Sequence, residues 1–356
     1  MRAAPGQMVA GRYRVTDRPA GEVLPAQDTA TGAPVLLHAL DLPELLVPDQ
    51  VYEQTDAPLG IRLAEQVTAL AAQLPRHPRL LAQSGAAADA GLLWVAEEGA
   101  PGSALSELAG AGPVPPFRVA ELAADLAGAL RALHEAGLVH GNVTADAVLV
   151  CEDGAALLGG LLLGAAQEAL AARLGGPVPR RVYEARADLV GARAERWPPD
   201  SGPAADCWSL GVLLYRLLTG HSPYPETDLP TLLGAVRDGR RHPADGCGPL
   251  RGLVEDLLSP AAARPTAEQA QVRLRALLAG APEPYGPQDE PPLLPVPRPA
   301  ALAPVPRSRR SRAVERASRG PARPPRVPPA LLGPLLVGGV LLTLIAGLAA
   351  VVLVAG

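Results

Sequence analysis

Hydrophobic and polar residues alternate in three short segments near the N-terminus, and this alternation predicts three antiparallel strands. The segments are 11–15, 21–28 and 33–40. A helical period follows at 60–74, and a further apolar strand is predicted at 92–97. Residues 8–98 are therefore expected to form a small lobe that is rich in β-structure.

Helical periodicity dominates the next part of the chain. The strongest amphipathic pattern begins at residue 116 or 117 and continues to Glu135. Further helices are predicted at 205–220, 229–238, 249–258 and 266–279. Two short strands lie between these helices, joined by an Asp153-Gly154 pair that is a common hairpin signal. Residues 103–280 are expected to form a second, mainly helical lobe, so the predicted fold class is α+β.

The composition changes after residue 280. Residues 281–329 are rich first in proline and then in arginine, so they cannot bury enough apolar surface to fold and should form an extended linker. No charged residue follows Arg326, and Leu335–Val354 has the length of one membrane-spanning helix. A transmembrane helix is therefore predicted within 330–354, as a C-terminal anchor.

The arginines beside this apolar segment predict its orientation. Arg307–Arg326 contains eight arginines and one glutamate. By the positive-inside rule, the N-terminal domain faces the cytoplasm and the C-terminus lies outside the plasma membrane. The same arginines are expected to contact anionic lipid headgroups. Because they adjoin the membrane and no aromatic residue is interleaved among them, nucleic-acid binding is not expected.

Two features of the C-terminal region leave alternatives open. Gly339, Thr343 and Gly347 form a stripe of small residues at a spacing of four, which could pack two membrane helices into a homodimer. Such stripes also arise by chance in a tail rich in glycine and alanine. Residues 291–299 (PPLLPVPRP) suit either a polyproline ligand or a plain spacer.

Amino-acid usage excludes one kind of mechanism. All 32 basic residues are arginine, so no site can use a lysine ammonium group. Cys151, Cys207 and Cys247 lie far apart without C-x-x-C spacing, which favours reduced thiols in a reducing compartment. The abundance of alanine and arginine is typical of an actinobacterial protein.

The stretch from Leu130 to Gly164 reads as a helix end, a turn and two short strands, with HGN at 140–142 and GLL at 160–162. This order resembles the catalytic centre of the eukaryotic-type Ser/Thr protein kinases of bacteria. In that family the loop reads H-R-D-x-x-x-x-N and the second strand ends at D-F-G. A more specific match lies at 205–220, where ADCWSLGVLLYRLLTG resembles the D-x-x-S-x-G-x-x-x-Y-x-x-L-x-G helix of the kinase C-lobe.

The resemblance covers about residues 8–280 and implies a two-lobed kinase-like fold. It also implies three structural residues. Asp206 occupies the position of the helix aspartate that braces the catalytic-loop backbone. Asp200, in WPPD, corresponds to the glutamate of A-P-E, and Arg264 corresponds to the arginine that pairs with it.

The residues that carry the family's chemistry are replaced. The catalytic aspartate position after His140 is Asn142, whose amide is not a useful base. The two magnesium-binding positions are Ala147 and Gly160, neither of which has a side-chain ligand atom. Glu152 and Asp153 lie nearby, but a strand-turn pair is the simpler interpretation of both.

The nucleotide-binding positions of the N-lobe are degenerate as well. Only Gly21 and Val23 match the glycine-rich loop that covers the phosphates in the family. The position of the phosphate-binding lysine is His38. Glu65 is the nearest candidate for the glutamate that pairs with this lysine, but a solvated glutamate is the favoured interpretation because the chain has no lysine for it to pair with.

The segment between the two halves of the C-lobe offers no phosphorylation switch of the Ser/Thr type. Residues 145–200 contain no serine and no threonine, and Tyr183 is the single hydroxyl side chain. Regulation by a new arginine–phosphoserine or arginine–phosphothreonine contact is therefore not available to this segment.

These observations predict a membrane-anchored, kinase-like domain without catalytic activity, acting as a signalling scaffold or allosteric partner of another protein. No cofactor is expected. The competing hypothesis is a divergent active Ser/Thr kinase, which would require ATP and magnesium. The His140-Gly141 pair also resembles the small-molecule phosphotransferases of related fold, but Asn142 would disable either enzyme.

Overall fold

The computed structural model describes residues 3–17, 23–42, 59–110 and 112–281. The predicted linker beyond residue 281, the predicted membrane helix and Gly21 lie outside these ranges. In the part of the chain that is described, no helix is both long and apolar enough to cross a membrane.

A six-stranded antiparallel sheet forms most of the described N-terminal region. Its strands are β1 (Met8–Val9), β2 (Tyr13–Val15), β3 (Val23–Asp28), β4 (Pro34–Asp41), β5 (Gln83–Asp89) and β6 (Leu92–Glu98), in the order β1-β2-β3-β4-β6-β5. The strands predicted near 13, 25, 37 and 95 are all present, whereas β5 was not predicted. In the register of β4 with β6, His38 lies opposite Val95.

Each face of this sheet has its own apolar core, as period-two alternation requires. Leu37, Trp94 and Ala96 belong to one buried cluster together with residues of β1–β3. Leu93 and Val95 face the other way and pack against helix α1 (Leu59–Ala71), which buries Leu63 and Val67. The helical period predicted for 60–74 is confirmed.

The rest of the described chain is mainly helical. The helices are α2 (Leu105–Gly110), α3 (Pro116–Glu135), α4 (Leu161–Gly175), α5 (Pro179–Val190), α6 (Pro203–Thr219), α7 (Leu229–Arg237), α8 (Arg251–Leu257) and α9 (Ala267–Ala279). A small antiparallel sheet joins β7 (Ser103–Ala104), β8 (Val148–Val150) and β9 (Ala156–Leu158). The α+β class is confirmed, and the arrangement is consistent with a kinase-like two-lobed fold.

Helices α3 and α6 supply the centre of the C-terminal core. Nearly every residue of α6 is buried, including Asp206 and Trp208, and α3 buries a continuous set of alanine and leucine side chains. Burial of this extent explains why these two helices have the clearest sequence patterns. The C-terminal end of α6 and the N-terminal end of α9 are also well defined. Helix α6 ends at Gly220, which is in a left-handed conformation, and Thr266 caps α9 in a reciprocal capping box with Gln269.

Helices α4 and α5 are the main departure from the sequence prediction. They cover most of the segment between the second strand of the hairpin and Trp197, for which no helix was predicted. The two helices approach so closely that a Cβ on Gly175 would lie 2.1 Å from the backbone nitrogen of Val182. Leu161, Leu162 and Leu170 of α4 pack in the same cluster as α1 and β6, so this segment fills the space beneath α1.

Candidate functional site

A cavity of about 600 Å³ lies where residues of the N-terminal sheet face the loop after α3. Five of the residues singled out in the sequence line it: Val23 and His38 from the sheet, and Asn142, Ala147 and Gly160 from the loop and hairpin. His140 lies buried behind this wall, and Gly21 is outside the described ranges. Residues far apart in the sequence are therefore brought to one site.

The loop that carries Asn142 is held from below by Asp206, whose side chain is only 1% exposed. Its two carboxylate oxygens each accept a backbone hydrogen bond of 2.8 Å, from the N–H groups of His140 and Gly141. Nε2 of His134 lies 2.9 Å from the same carboxylate. One buried side chain thus fixes the loop backbone and joins α6 to α3.

The imidazole of His140 is fixed as a neutral ring. Its Nε2 donates to the carbonyl oxygen of Gly159 at 3.0 Å, and its Nδ1 accepts from the backbone N–H of Asn142 at 3.2 Å. Full burial lowers the pKa of His140 because the charged form would lose its hydration. His140 therefore has a structural position between the loop and the hairpin.

Asn142 uses both ends of its amide to hold neighbouring groups. Its Nδ2 donates to the carbonyl oxygen of Gly160 at 2.8 Å, and its Oδ1 accepts from Nη1 of Arg196. Both polar atoms of the side chain are bound to protein groups. The residue at the position of the catalytic aspartate acts in this structure as a link between two segments.

The backbone conformation and the close neighbours of Gly160 disfavour a metal-binding side chain. Gly160 adopts a left-handed conformation with φ of 71°, which favours glycine. A Cβ there would lie 2.9 Å from Nδ2 of Asn142 and 3.1 Å from Cβ of Ala147. Because Ala147 and Gly160 supply no side-chain oxygen and the Asn142 oxygen already accepts from Arg196, these three residues do not fit a magnesium ion.

Glu97, at the end of β6, is a site residue that the sequence reasoning missed. Its carboxylate is 5% exposed and lies 2.7 Å from Nε2 of His38. Gln83 Nε2 donates to it at 2.9 Å, and the backbone N–H of Gly160 donates at 2.7 Å. Glu65, the residue considered in the sequence, is exposed on α1.

The charge of Glu97 survives its burial. Burial alone would raise the pKa of this carboxyl, but the hydrogen bonds from His38, Gln83 and Gly160 outweigh that effect and lower it. The carboxylate therefore stays ionised and ties the sheet to the backbone at the position of the family's metal-binding aspartate. Glu97 could have been identified in the sequence as a carboxylate within an apolar strand, on the same face as Val95.

Two arginines from the segment after α5 complete the wall of the cavity. Arg196 is only 4% exposed and donates a hydrogen bond to Asn142. Its ion-pair partner is Glu168, with 3.7 Å between Nη2 and Oε1. Burial lowers the pKa of Arg196 to about 10. Arg193 lies nearer the surface and pairs with Asp146. Neither arginine was identified as a site residue from the sequence.

The predicted structural pair lies below the site. Nη2 of Arg264 is 3.0 Å from Oδ2 of Asp200, and the same guanidinium donates to the carbonyl oxygens of Ala204 and Ser259, each at 2.7 Å. These contacts hold the segment before α6 against the loop before α9. The described structure thus brings Asp200 and Arg264 together.

The remaining sequence candidates lie away from the cavity. Asp153 accepts a hydrogen bond of 2.9 Å from the N–H of Ala155, which is a local turn contact. Tyr183 is exposed on α5, and its ring packs against Trp197. In the described ranges no three His, Cys, Asp or Glu side chains are grouped so as to hold a metal ion.

Sequence comparisons relate the chain to protein kinases. It is 33% identical to the serine/threonine-protein kinase PknL of Mycobacterium tuberculosis over 121 residues, which is 32% of this chain and 27% of that protein. It is 32% identical to the serine/threonine-protein kinase AfsK of Streptomyces griseus over 187 residues, 49% of this chain and 21% of that protein. A shorter match, 46% over 59 residues, is to human Tribbles homolog 3 and covers 16% of each chain.

No protein-family model matches the chain. The chain spans about a quarter or less of the length of these curated relatives. The matches to bacterial Ser/Thr kinases support a kinase-like domain, in agreement with the two-lobed architecture.

Proposed function

We propose that the chain is a pseudokinase: a kinase-like domain that does not transfer phosphate and acts as a signalling scaffold or allosteric partner of another protein. The observation that carries this proposal is the geometry at Gly160. No metal-binding side chain is present there, a side chain at a φ of 71° would be strained and would crowd Asn142 and Ala147, and the Gly160 N–H is bound to Glu97.

Three further contacts support the absence of phosphoryl transfer. Asn142 is engaged on both sides and its amide is not a base, and Asp146 of the same loop pairs with Arg193. His38 points to Glu97, where it forms part of a buried hydrogen-bond network. Helix α4 packs beneath α1 directly after Gly160, in the segment that lacks serine and threonine. Each contact affects a different part of the kinase reaction.

Magnesium dependence tests the proposal. The full chain in detergent is melted with ATP in the presence of EDTA and again with ATP and excess magnesium. We expect no gain in melting temperature from magnesium and no transfer of labelled phosphate to the chain itself or to a general protein substrate. A magnesium-dependent rise of several degrees together with transfer would establish the divergent active kinase instead, since a ligand of the folded state raises its melting point by mass action.

We further propose that the domain is held at the inner face of the plasma membrane by the apolar segment within 330–354. The support is the length of that segment and the arginine-rich stretch before it. The test is a reporter enzyme that is active only after export, fused after Gly356. We expect this fusion to be active. A fusion that is active only with a cytoplasmic reporter would contradict this orientation.

A further inference from the structure

The end of α4 and the start of α5 form a basic surface on a domain that is otherwise acidic. We call residues 173–184 the α4–α5 tip; they comprise the last turn of α4, the connecting turn and the first turns of α5. The tip holds three arginines and one glutamate, whereas residues 1–280 together hold 23 arginines and 32 acidic residues. The tip therefore has a charge opposite to that of the domain as a whole.

The arginines of the tip are exposed, and the stability of the helix does not explain them. Arg180 pairs with Glu184 at 2.8 Å, whereas Arg173 and Arg181 have no ion-pair partner in the part of the chain that is described. Arg180 and Arg181 lie in the first turn of α5, which contains no acidic residue. Basic side chains are unfavourable there because the helix dipole is positive at that end.

The carboxylates around the tip do not cancel its charge. Glu168 on α4 binds Nε of Arg186 at 2.7 Å, and Asp228 caps the N-terminus of α7. Asp188 is exposed at the far end of α5, about 12 Å along the helix from Arg180. Counting every charged residue of α5, of α4 from residue 168 onward and of α7 with its cap leaves five arginines against four carboxylates.

Apolar side chains lie among these arginines. Val178 is 43% exposed and Tyr183 is 42% exposed, and α5 has no fully buried residue. A groove of about 480 Å³ continues this surface to α7, where Leu229 and Leu233 line it. Arginines beside exposed aliphatic and aromatic side chains are typical of helices that lie in the membrane interface.

We propose that the α4–α5 tip docks on the surface of an anionic membrane, with Arg173, Arg180 and Arg181 at the lipid headgroups and Val178 and Tyr183 in the interface. Basic side chains near such a surface are attracted by its negative potential. The acidic remainder of the domain is repelled by the same potential, so docking orients the domain with its tip toward the lipid. The faces turned away from the membrane are then the ones offered to a protein partner.

This inference rests on the proposed membrane anchor within 330–354, which keeps the domain close to the lipid. The predicted linker, residues 281–329, has 49 residues. A chain of that length reaches roughly 40 Å, so it allows the domain to turn its tip toward the membrane. Weak contacts suffice in this arrangement, because tethering raises the effective concentration of the tip at the surface.

Hydrogen exchange of the full chain in lipid nanodiscs tests the inference. The discs contain either phosphatidylcholine alone or phosphatidylcholine with about one third phosphatidylglycerol, which is anionic. We expect the backbone amides of residues 176–184 to exchange at least about fivefold more slowly in the anionic discs at low salt, and the difference to vanish in about 1 M salt, where charges are screened. Arg180→Gln combined with Arg181→Gln should lower the ratio of docked to undocked chains about fivefold for each arginine removed.

Arg273→Gln combined with Arg275→Gln is the matched control, because both arginines are exposed on α9, which packs against α3. This variant loses the same charge and should keep the slow exchange of the tip. Equal exchange in the two kinds of disc, or slowing that the Arg180/Arg181 variant retains, would overturn the inference.

Two further outcomes would also overturn it. Slow exchange of the tip in detergent that increases with protein concentration would assign this surface to a second copy of the chain. A chain that does not enter discs of either lipid would refute the proposed anchor, and docking with it. Failure of docking in a chain that has entered the discs would refute docking alone and leave the anchor and the magnesium test unaffected.

Discussion

Asp206→Ala is expected to destabilise the folded domain by about 3–5 kcal/mol, the range for removing one partner from a buried charged network. The substitution leaves the N–H groups of His140 and Gly141 without their acceptor in the interior. It also removes the partner of His134 on α3. Water cannot easily replace the carboxylate, since Asp206 is 1% exposed. Urea denaturation followed by tryptophan fluorescence measures the loss.

The matched control is Asp256→Ala. Asp256 forms an ion pair with Arg273 at 2.8 Å, but both side chains are about half exposed, so its loss should change stability by less than about 1 kcal/mol. Asp206→Asn should fall between these two variants, because the amide nitrogen that replaces one carboxylate oxygen cannot accept the backbone hydrogen bond made to that oxygen. Equal stability of the Asp206→Ala and Asp256→Ala variants would refute the bracing role of Asp206.

The role of Asp206 separates the backbone shape of the loop from its chemistry. Asp206 holds the loop backbone in a fixed shape, yet the loop carries Asn142 and Ala147 at the positions of the family's catalytic aspartate and a metal ligand. Asp206 therefore stabilises the backbone geometry of a loop that lacks the family's catalytic groups. This combination supports the scaffold role proposed above.

The helices α3 and α6 were predictable because their patterns are set by their own burial. Each is long, and their apolar residues face one continuous core. Helix α4 was not predictable in the same way, because its apolar residues lie on all sides and no single stripe stands out. Its helical form depends on tertiary neighbours on α1, β6 and α5, which a local pattern does not contain.

The candidate site also combines residues that the sequence predicted with partners that it did not. Motif spacing placed Asn142, Ala147 and Gly160 together, and the cavity contains all three. The partners they use came from elsewhere: Arg196 lies 54 residues from Asn142, and Glu97 lies 63 residues from Gly160. The sequence shows which residue is substituted. It does not show which distant side chain contacts the substituted position, because that depends on the fold.

Glu97→Ala is expected to cost about 2–4 kcal/mol, because it removes the acceptor of three hydrogen bonds in the interior. The donors are His38 Nε2, Gln83 Nε2 and the Gly160 N–H. Glu98→Ala at the next position is the control: Glu98 is exposed and accepts one long hydrogen bond of 3.3 Å, from Ala82 N–H. A loss in Glu97→Ala no larger than in Glu98→Ala would contradict the role assigned to this carboxylate.

The pH dependence of the same residue distinguishes its charge from its hydrogen bonds. The pKa of Glu97 in the folded state is lowered from its ordinary value of 4.5, so the ionised carboxylate stabilises the fold fully above that pH. This contribution is lost as the pH falls below 4.5 and through the lower folded pKa. Glu97→Gln keeps an acceptor but cannot titrate, so the stability difference between wild type and Glu97→Gln should be largest near neutral pH and shrink on acidification. If the stability difference between wild type and Glu97→Gln stays constant from pH 7 to pH 3, Glu97 acts as a hydrogen-bond acceptor without a contribution from its charge. That result would contradict an electrostatic link between the sheet and Gly160.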